Sequence, residues 1–354
     1  MARYLVTGVA GFIGSWIAKN LVSQGHEVRG LDNMTTGTCA NLSAIAGPID
    51  FHRADLRNRQ ELRAACEGID GIFHEAAVAS VQESIERPIE TNEINHVGTL
   101  NIVEAAKAAG VRRIVFASSS AVYGNQGVPA LHERLTPRPL SAYGVQKLAS
   151  EHSLRVAHSV DGVETVALRY FNVFGPRQSA SSPYSGVIAR FLRYLAWMDQ
   201  RIQPVVYGDG EQSRDFVYIE DVVSANLLAM AAPAEAAAGR VFNVGSGRSR
   251  TINSLVELLS AVCSEQLHFN HLPARSGEIR DSTAEISAAA NALGFVPQWD
   301  FREALSKTLN WYRSQEPYGG DKRGKQSYPF YSAGKRLLSA KPTGPVPVRM
   351  NLIS

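Results

Sequence analysis

Cysteine is scarce. Cys39, Cys66 and Cys263 are widely spaced, with no C-x-x-C, so neither a disulfide framework nor a zinc site is expected. Long apolar runs are missing: nothing approaches the ~18 residues of a membrane span. The apolar start, MARYLVTGVAGFIG, is interrupted by glycines, which argues against a secretory signal and for a cytoplasmic chain. Net charge is also small. Thirty-six Lys and Arg against 33 Asp and Glu leave +3 on 354 residues, too little to point to nucleic acid. H-E-x-x-H, G-x-S-x-G and Walker loops are absent, which removes zincin, α/β-hydrolase and P-loop chemistry. His268 and His271 form a pair without further ligands, so no metal is expected.

What remains is a globular composition, 45% hydrophobic and 19% charged, long enough for two domains. Residues 317–354 carry seven basic side chains against one acid, Asp321, and the rest of the chain is three charges negative. This stretch reads as a basic extension.

The first half alternates short apolar runs with helical periodicity. Strands are expected at Arg3–Thr7, Glu27–Leu31, Ile49–His52, Gly71–His74, Arg113–Ala117 and Glu164–Arg169. Helices are expected at Phe12–Ser23, Arg59–Cys66, Asn92–Ala109 and Ser141–Ser159. A βαβα rhythm with near-continuous apolar strands implies a parallel sheet covered on both faces. After Phe174 the pattern loosens. Helices at Gly186–Ala196, Ile219–Ala231, Ile252–Cys263 and Arg302–Arg313 and a strand at Val241–Val244 suggest a smaller lobe. Residues 1–174 would be mainly the first domain, with 208–247 partly returning to it, and 175–316 mainly the second.

Gly8, Gly11 and Gly14 follow a strand and open a helix. Glycines allow the tight turn and the close approach of backbone N–H groups to a pyrophosphate at a helix N-terminus. Asp32 closes the second strand, where a carboxylate holds both adenosine ribose hydroxyls and repels a 2′-phosphate. NAD is favoured over NADP. Asp55-Leu56, after the third strand, sits where adenine could be gripped.

Tyr143 and Lys147 stand one helical turn apart. A neighbouring ammonium favours phenolate and should lower the tyrosine from its usual ~10, making it a usable acid or base. Ser118-Ser119-Ser120 ends a strand at the carboxyl edge, where ligands bind in such sheets.

With these residues in view, the chain resembles the extended short-chain dehydrogenase/reductases that act on nucleotide sugars. The resemblance runs over roughly Arg3 to Trp311 and rests on LVTGVAGFIGS, HEAA (His74–Ala77), SSSAVYG, YGVQK, LRYFNVFGPRQ, GDGEQSRDFVYIEDV, FNVGSG and PARSGEIRDS. It implies a Rossmann-type doubly wound α/β sheet with a smaller C-terminal α/β substrate-binding lobe. Gly8, Gly11, Phe12, Ile13 and Gly14 would line the pyrophosphate. Asp32 would bind the adenosine ribose and Asp55 and Leu56 the adenine, with Asn33 also among the cofactor contacts. Ala76, Ala77, Asn95, Ala117 and Tyr170 would meet the rest of NAD. Ser119, Tyr143 and Lys147 would be catalytic, the last two also touching cofactor. Ser119, Ser120, Asn172, Val187, Arg214, Arg275, Glu278 and Ser282 would hold the UDP-sugar. The helices at Asn92–Ala109 and Ser141–Ser159 pack between subunits in most relatives, which implies a homodimer.

The resemblance also narrows the reaction. Dehydratases of the family carry Asp-Glu, and decarboxylases Ser-Glu, where this chain has Ser120-Ala121. Ala121 cannot ionise, and a bare 4-epimerase needs no further acid. Relatives that accept N-acetylated sugars have a small residue at the position of Ser282. The expected activity is 4-epimerisation of UDP-GlcNAc/UDP-GalNAc and UDP-Glc/UDP-Gal. Alternatives are UDP-glucuronate 4-epimerisation, with Arg177 or Arg190 pairing the carboxylate, a nucleotide-sugar reductase, and a non-catalytic NAD sensor.

Overall fold

A computed structural model of the chain describes residues 1–45, 47–179, 186–197, 204–274 and 279–315. The basic extension lies outside them. The described residues form twelve strands: β1 (Arg3–Thr7), β2 (Glu27–Asp32), β3 (Asp50–Arg53), β4 (Gly71–His74), β5 (Arg113–Ser119), β6 (Glu164–Tyr170), β7 (Asn172–Phe174), β8 (Val205–Tyr207), β9 (Ser213–Tyr218), β10 (Arg240–Val244), β11 (Ser249–Thr251) and β12 (Asn270–Leu272). Seven of them form one sheet in the order β10-β6-β5-β4-β1-β2-β3, with every neighbouring pair parallel. The order reverses at β1, which places a crevice at the carboxyl ends of β1 and β4.

Side-chain alternation explains why the sheet is covered twice. Val6, Phe73, Val115, Val166 and Leu168 join the core that includes the helices Phe12–Ser23 and Ile219–Ala231. Leu5, Ile72, Ile114, Phe116 and Ala167 point the other way, toward the helices Arg59–Cys66, Gly98–Ala109 and Ala142–Asp161. The period of two along each strand thus feeds two separate cores. Arg113 is fully buried at the start of β5. Its guanidinium donates to the carbonyls of Ala229, Met230 and Ala232. These are the free acceptors that end the Ile219–Ala231 helix, where a cation is favoured.

The helix Ala142–Asp161 begins at Ser141, whose hydroxyl accepts from the Gly144 N–H. It ends at Gly162 in the left-handed region. The helix expected over Asn92–Ala109 is instead a π-helical turn, Glu93–Val97, leading into Gly98–Ala109. After β6 the chain leaves the main sheet. β7, β9 and β11 form a three-stranded sheet, and β8 pairs with β12. β10 then returns to pair with β6.

Candidate active site

The turn after β1 is built for close approach. Gly8 has φ +67°, and a Cβ there would lie 2.9 Å from the Ala76 backbone. A Cβ on Gly14 would come within 2.2 Å of the Gly8 carbonyl oxygen. The helix Phe12–Ser23 begins at Gly11 with no side-chain cap and no acid in its first turn. Phe12 and Ile13 are half-buried beside it. An uncapped helix start lined by glycine is a cradle for phosphate, and it fits the pyrophosphate of NAD.

Asp32, at the end of β2, is buried and accepts from the N–H groups of Ala10 (2.9 Å) and Met34 (2.8 Å). These bonds fix its orientation and leave each oxygen a second lone pair for a ribose hydroxyl. Asn33 donates to Asp55 (3.0 Å). Asp55 is also gripped by Arg57, which holds its carboxyl well below the ordinary carboxylate range. Leu56 is buried against Gly98. Asn95 is buried as well. Its amide accepts from the Val78 N–H and donates to the Val78 carbonyl and to Gln146. It therefore shapes the loop holding Ala76 and Ala77, and Ala76 N–H donates to Thr7.

The proton-handling groups meet at the carboxyl ends of β4, β5 and β6. Ser119, the last residue of β5, accepts from the Ala121 N–H (3.2 Å), and its hydroxyl lies near enough to the Tyr143 phenol to lower it. Lys147 is buried and donates to the Ala117 carbonyl (2.7 Å), with Nζ over the Phe116 ring at 4.7 Å and the Tyr143 ring at 5.9 Å. Burial pushes Lys147 down to about 8, with the charges of Glu75 and Glu151 opposing. Burial pushes Tyr143 up to about 12; the neighbouring Ser119 hydroxyl pulls it back, and the Glu75 charge pushes it further up. The expected lowering of Tyr143 by Lys147 is therefore corrected. The ammonium is aimed at a backbone carbonyl beneath the ring, and desolvation of the phenol dominates.

One acid in this cluster escaped the sequence reading. Glu75, in the HEAA stretch, accepts from the Tyr170 hydroxyl (2.9 Å). Asn226 donates to the same hydroxyl (2.7 Å). Burial raises Glu75 to about 7, with Tyr170 and Lys147 pulling it down. Tyr170 is itself raised well above its ordinary value, first by burial and then by the Glu75 charge.

The residues expected to hold substrate are more scattered. Ser120 begins a short 3₁₀ turn after Ser119. Asn172 is exposed at the start of β7, and Val187 is half-buried at the start of a helix. Arg214 lies on β9 and donates to the carbonyls of Ser213 and Arg280. Ser282 is buried. Arg275 and Glu278 lie outside the described residues. Arg177 donates to Ser15 and Ala44 and stacks on Trp16. Asp215, in the same SRDF run as Arg214, accepts from Ser246, Gly247 and Ala284 N–H groups. It ties β9 to the GSG loop. Among the described residues, no three His, Cys, Asp or Glu side chains are placed to hold a metal ion. No described helix is long and apolar enough to cross a membrane.

Residues 4–245 match the model of the NAD dependent epimerase/dehydratase family. A putative UDP-glucose 4-epimerase of Methanocaldococcus jannaschii is 34% identical over 88% of this chain and 98% of its own length. The solved UDP-N-acetylglucosamine 4-epimerase of Methanobrevibacter ruminantium, in complex with UDP-N-acetylmuramic acid, is 38% identical. It superposes with a TM-score of 0.83 over 89% of this chain and 99% of its own. The UDP-glucose 4-epimerase of Thermus thermophilus, solved with NAD, is 33% identical with a TM-score of 0.79, covering 88% and 99%. Sequence, fold and site geometry agree: the chain belongs to the NAD-dependent epimerase/dehydratase family and is an NAD-dependent enzyme of the nucleotide-sugar epimerase type.

Proposed function

We propose that the protein interconverts C4 epimers of a UDP-sugar, UDP-GlcNAc with UDP-GalNAc and UDP-Glc with UDP-Gal, through a 4-keto intermediate. The observation that carries this reading is the meeting of Ser119, at the end of β5, with the buried Tyr143 and Lys147, the last anchored on the Ala117 carbonyl with its ammonium over the Tyr143 ring. Ala121 stands two residues from Ser119, where relatives with further chemistry carry an acid.

Tyr143 takes the C4 hydroxyl proton and later returns it. Ser119, beside the same phenol, aligns that proton and stabilises the phenolate. Lys147 holds a fixed cation below the ring. NAD, when bound, supplies the hydride acceptor and donor and a positive ring charge that favours the Tyr143 phenolate. Gly8, Gly11, Phe12, Ile13 and Gly14 would hold its pyrophosphate and Asp32 its adenosine ribose, with Asn33, Asp55, Leu56, Ala76, Ala77, Asn95, Ala117 and Tyr170 shaping the remainder. Asn172, Val187, Arg214, Arg275, Glu278 and Ser282 would serve the UDP-sugar, the arginines suiting its diphosphate.

The UDP-glucuronate alternative is the weaker reading. Arg177 is committed to Ser15, Ala44 and Trp16, and the added charge in the catalytic cluster, Glu75, is an acid. A homodimer packed through Gly98–Ala109 and Ala142–Asp161 is supported by exposed Leu100, Val145, Val156 and Val160 on those helices.

Proton NMR of the enzyme with UDP-GlcNAc, UDP-Glc and UDP-glucuronate, each with catalytic NAD, tests this. Axial C4 epimers of the first two are expected, with no accumulated NADH. Turnover of UDP-glucuronate alone overturns the substrate assignment. Turnover that requires stoichiometric NADH overturns epimerisation in favour of a reductase.

A further inference from the structure

Strand register brings Glu75 into the catalytic cluster. His74, the last residue of β4, pairs with Phe116 of β5, so Glu75 emerges one position on, beside Ala117. Ala117 supplies the carbonyl that anchors Lys147. Ser119 of the same strand pairs with Tyr170 of β6, and the Tyr170 hydroxyl reaches back to Glu75. Asn226, from the Ile219–Ala231 helix, fixes that hydroxyl and is itself fixed by donating to the Val222 carbonyl (2.9 Å). Four secondary-structure elements thus converge to hold one half-buried carboxylate in one orientation.

We propose that Glu75 is a positioning residue for catalysis: held by the Tyr170–Asn226 hydrogen-bonded chain, its carboxylate is the counter-charge that keeps Lys147 cationic beneath Tyr143. The role of Lys147 rests on the reaction proposed above; the electrostatic pairing does not. A buried ammonium is costly without an opposite charge. Lys147 donates to a neutral carbonyl, so its charge must be balanced from nearby. The groups facing it are Glu75 and Glu151, which favour its charge, and His74, which burial and the Lys147 field drive down to about 3. Glu151 is already held by two hydrogen bonds from Arg169. Glu75 is faced by Lys147, Tyr143 and Tyr170, and no guanidinium is among the charges acting on it. Burial pushes Glu75 up to about 7 and Lys147 down to about 8, and the charge of each opposes the shift of the other.

The test is Glu75→Gln, which keeps an oxygen to accept from Tyr170 and removes the charge. NAD-loaded enzyme labelled with ¹³C at the lysine ε-carbon gives a titration for Lys147, assigned by its loss in Lys147→Met. Removing the carboxylate should lower the Lys147 midpoint by about one pH unit. The alkaline limb of the kcat profile should move the same way, with KM little changed, and Glu75→Asp should restore both. A folded Glu75→Gln enzyme with an unmoved Lys147 midpoint overturns the proposal. Should that variant fail to fold, Tyr170→Phe removes the hydroxyl that holds Glu75, and an unmoved midpoint there overturns the proposal equally. The NMR midpoint needs no turnover. If no UDP-sugar is converted, the proposed reaction fails while the Glu75–Lys147 pairing is still decided.

Discussion

Arg169 grips Glu151 with two hydrogen bonds, Nε to Oε1 at 2.9 Å and Nη2 to Oε2 at 2.7 Å, and both side chains are buried. The pair joins β6 to the Ala142–Asp161 helix one turn below Lys147. Ser118 of β5 donates to the same carboxylate. The helix carrying Tyr143 is thus locked to the strands that carry Ser119 and Tyr170. Glu151→Ala leaves Arg169 buried without its partner, a loss of about 3–5 kcal/mol. Urea unfolding monitored by circular dichroism measures it; a loss below about 1 kcal/mol would show that the pair is dispensable.

Tyr143→Phe removes the proton carrier and keeps the ring. Turnover should fall by about 10²–10⁴, with NAD binding and melting temperature little changed. Stopped assays with each UDP-sugar report the first, and cofactor fluorescence the second. Residual activity above a tenth of wild type would assign the proton transfer elsewhere.

His74 sits between the hydroxyls of Thr7 (2.8 Å) and Thr99 (3.1 Å), and burial drives it down to about 3. Its folded value lies below its unfolded one. Above pH 6.5 both states are neutral and stability is intact. As pH falls from 6.5 toward 3, the unfolded chain takes up a proton that the folded chain refuses. Stability should therefore drop by about 2 kcal/mol between pH 7 and pH 5 from this group. Urea midpoints at the two pH values, compared between wild type and His74→Asn, isolate that share.

Ser282 is small and buried. If it borders the C2 substituent, Ser282→Tyr should lower kcat/KM for UDP-GlcNAc at least tenfold and leave UDP-Glc within a few-fold. Equal losses on both substrates would place Ser282 away from the acetamido group.

Val156 and Val160 are 56% and 74% exposed on a helix whose opposite face is core. Val156→Glu combined with Val160→Glu should convert a dimer to monomer in analytical ultracentrifugation. A wild-type enzyme that sediments as a monomer contradicts the homodimer at once.

Much of this was legible in the sequence because local rules and tertiary contacts agreed. Val6, Phe73 and Val115 alternate with Leu5, Ile72 and Ile114, so strand identity and double coverage could be read directly. Gly8, Asp32, Tyr143 and Lys147 stand out by type and spacing. The three-residue strands β7, β8, β11 and β12 are too short to show a period, and the π-turn at Glu93–Val97 looks helical in any pattern. Glu75 was hidden for another reason. Its partner Tyr170 lies 95 residues away, and within HEAA the alanines drew the assignment. Lys147 stands out by its spacing from Tyr143, but where its ammonium points depends on the Ala117 carbonyl, which no spacing encodes.

Epimerisation by removal and return of one hydride makes a direct isotopic demand. UDP-GlcNAc should be incubated with the enzyme and catalytic NAD in deuterium oxide and followed by proton NMR. The expected result is a mixture of UDP-GlcNAc and UDP-GalNAc in which C4 keeps its original hydrogen and the cofactor ends as NAD. Deuterium at C4, or product formed only as NADH is consumed, would contradict the mechanism built on Ser119, Tyr143 and Lys147.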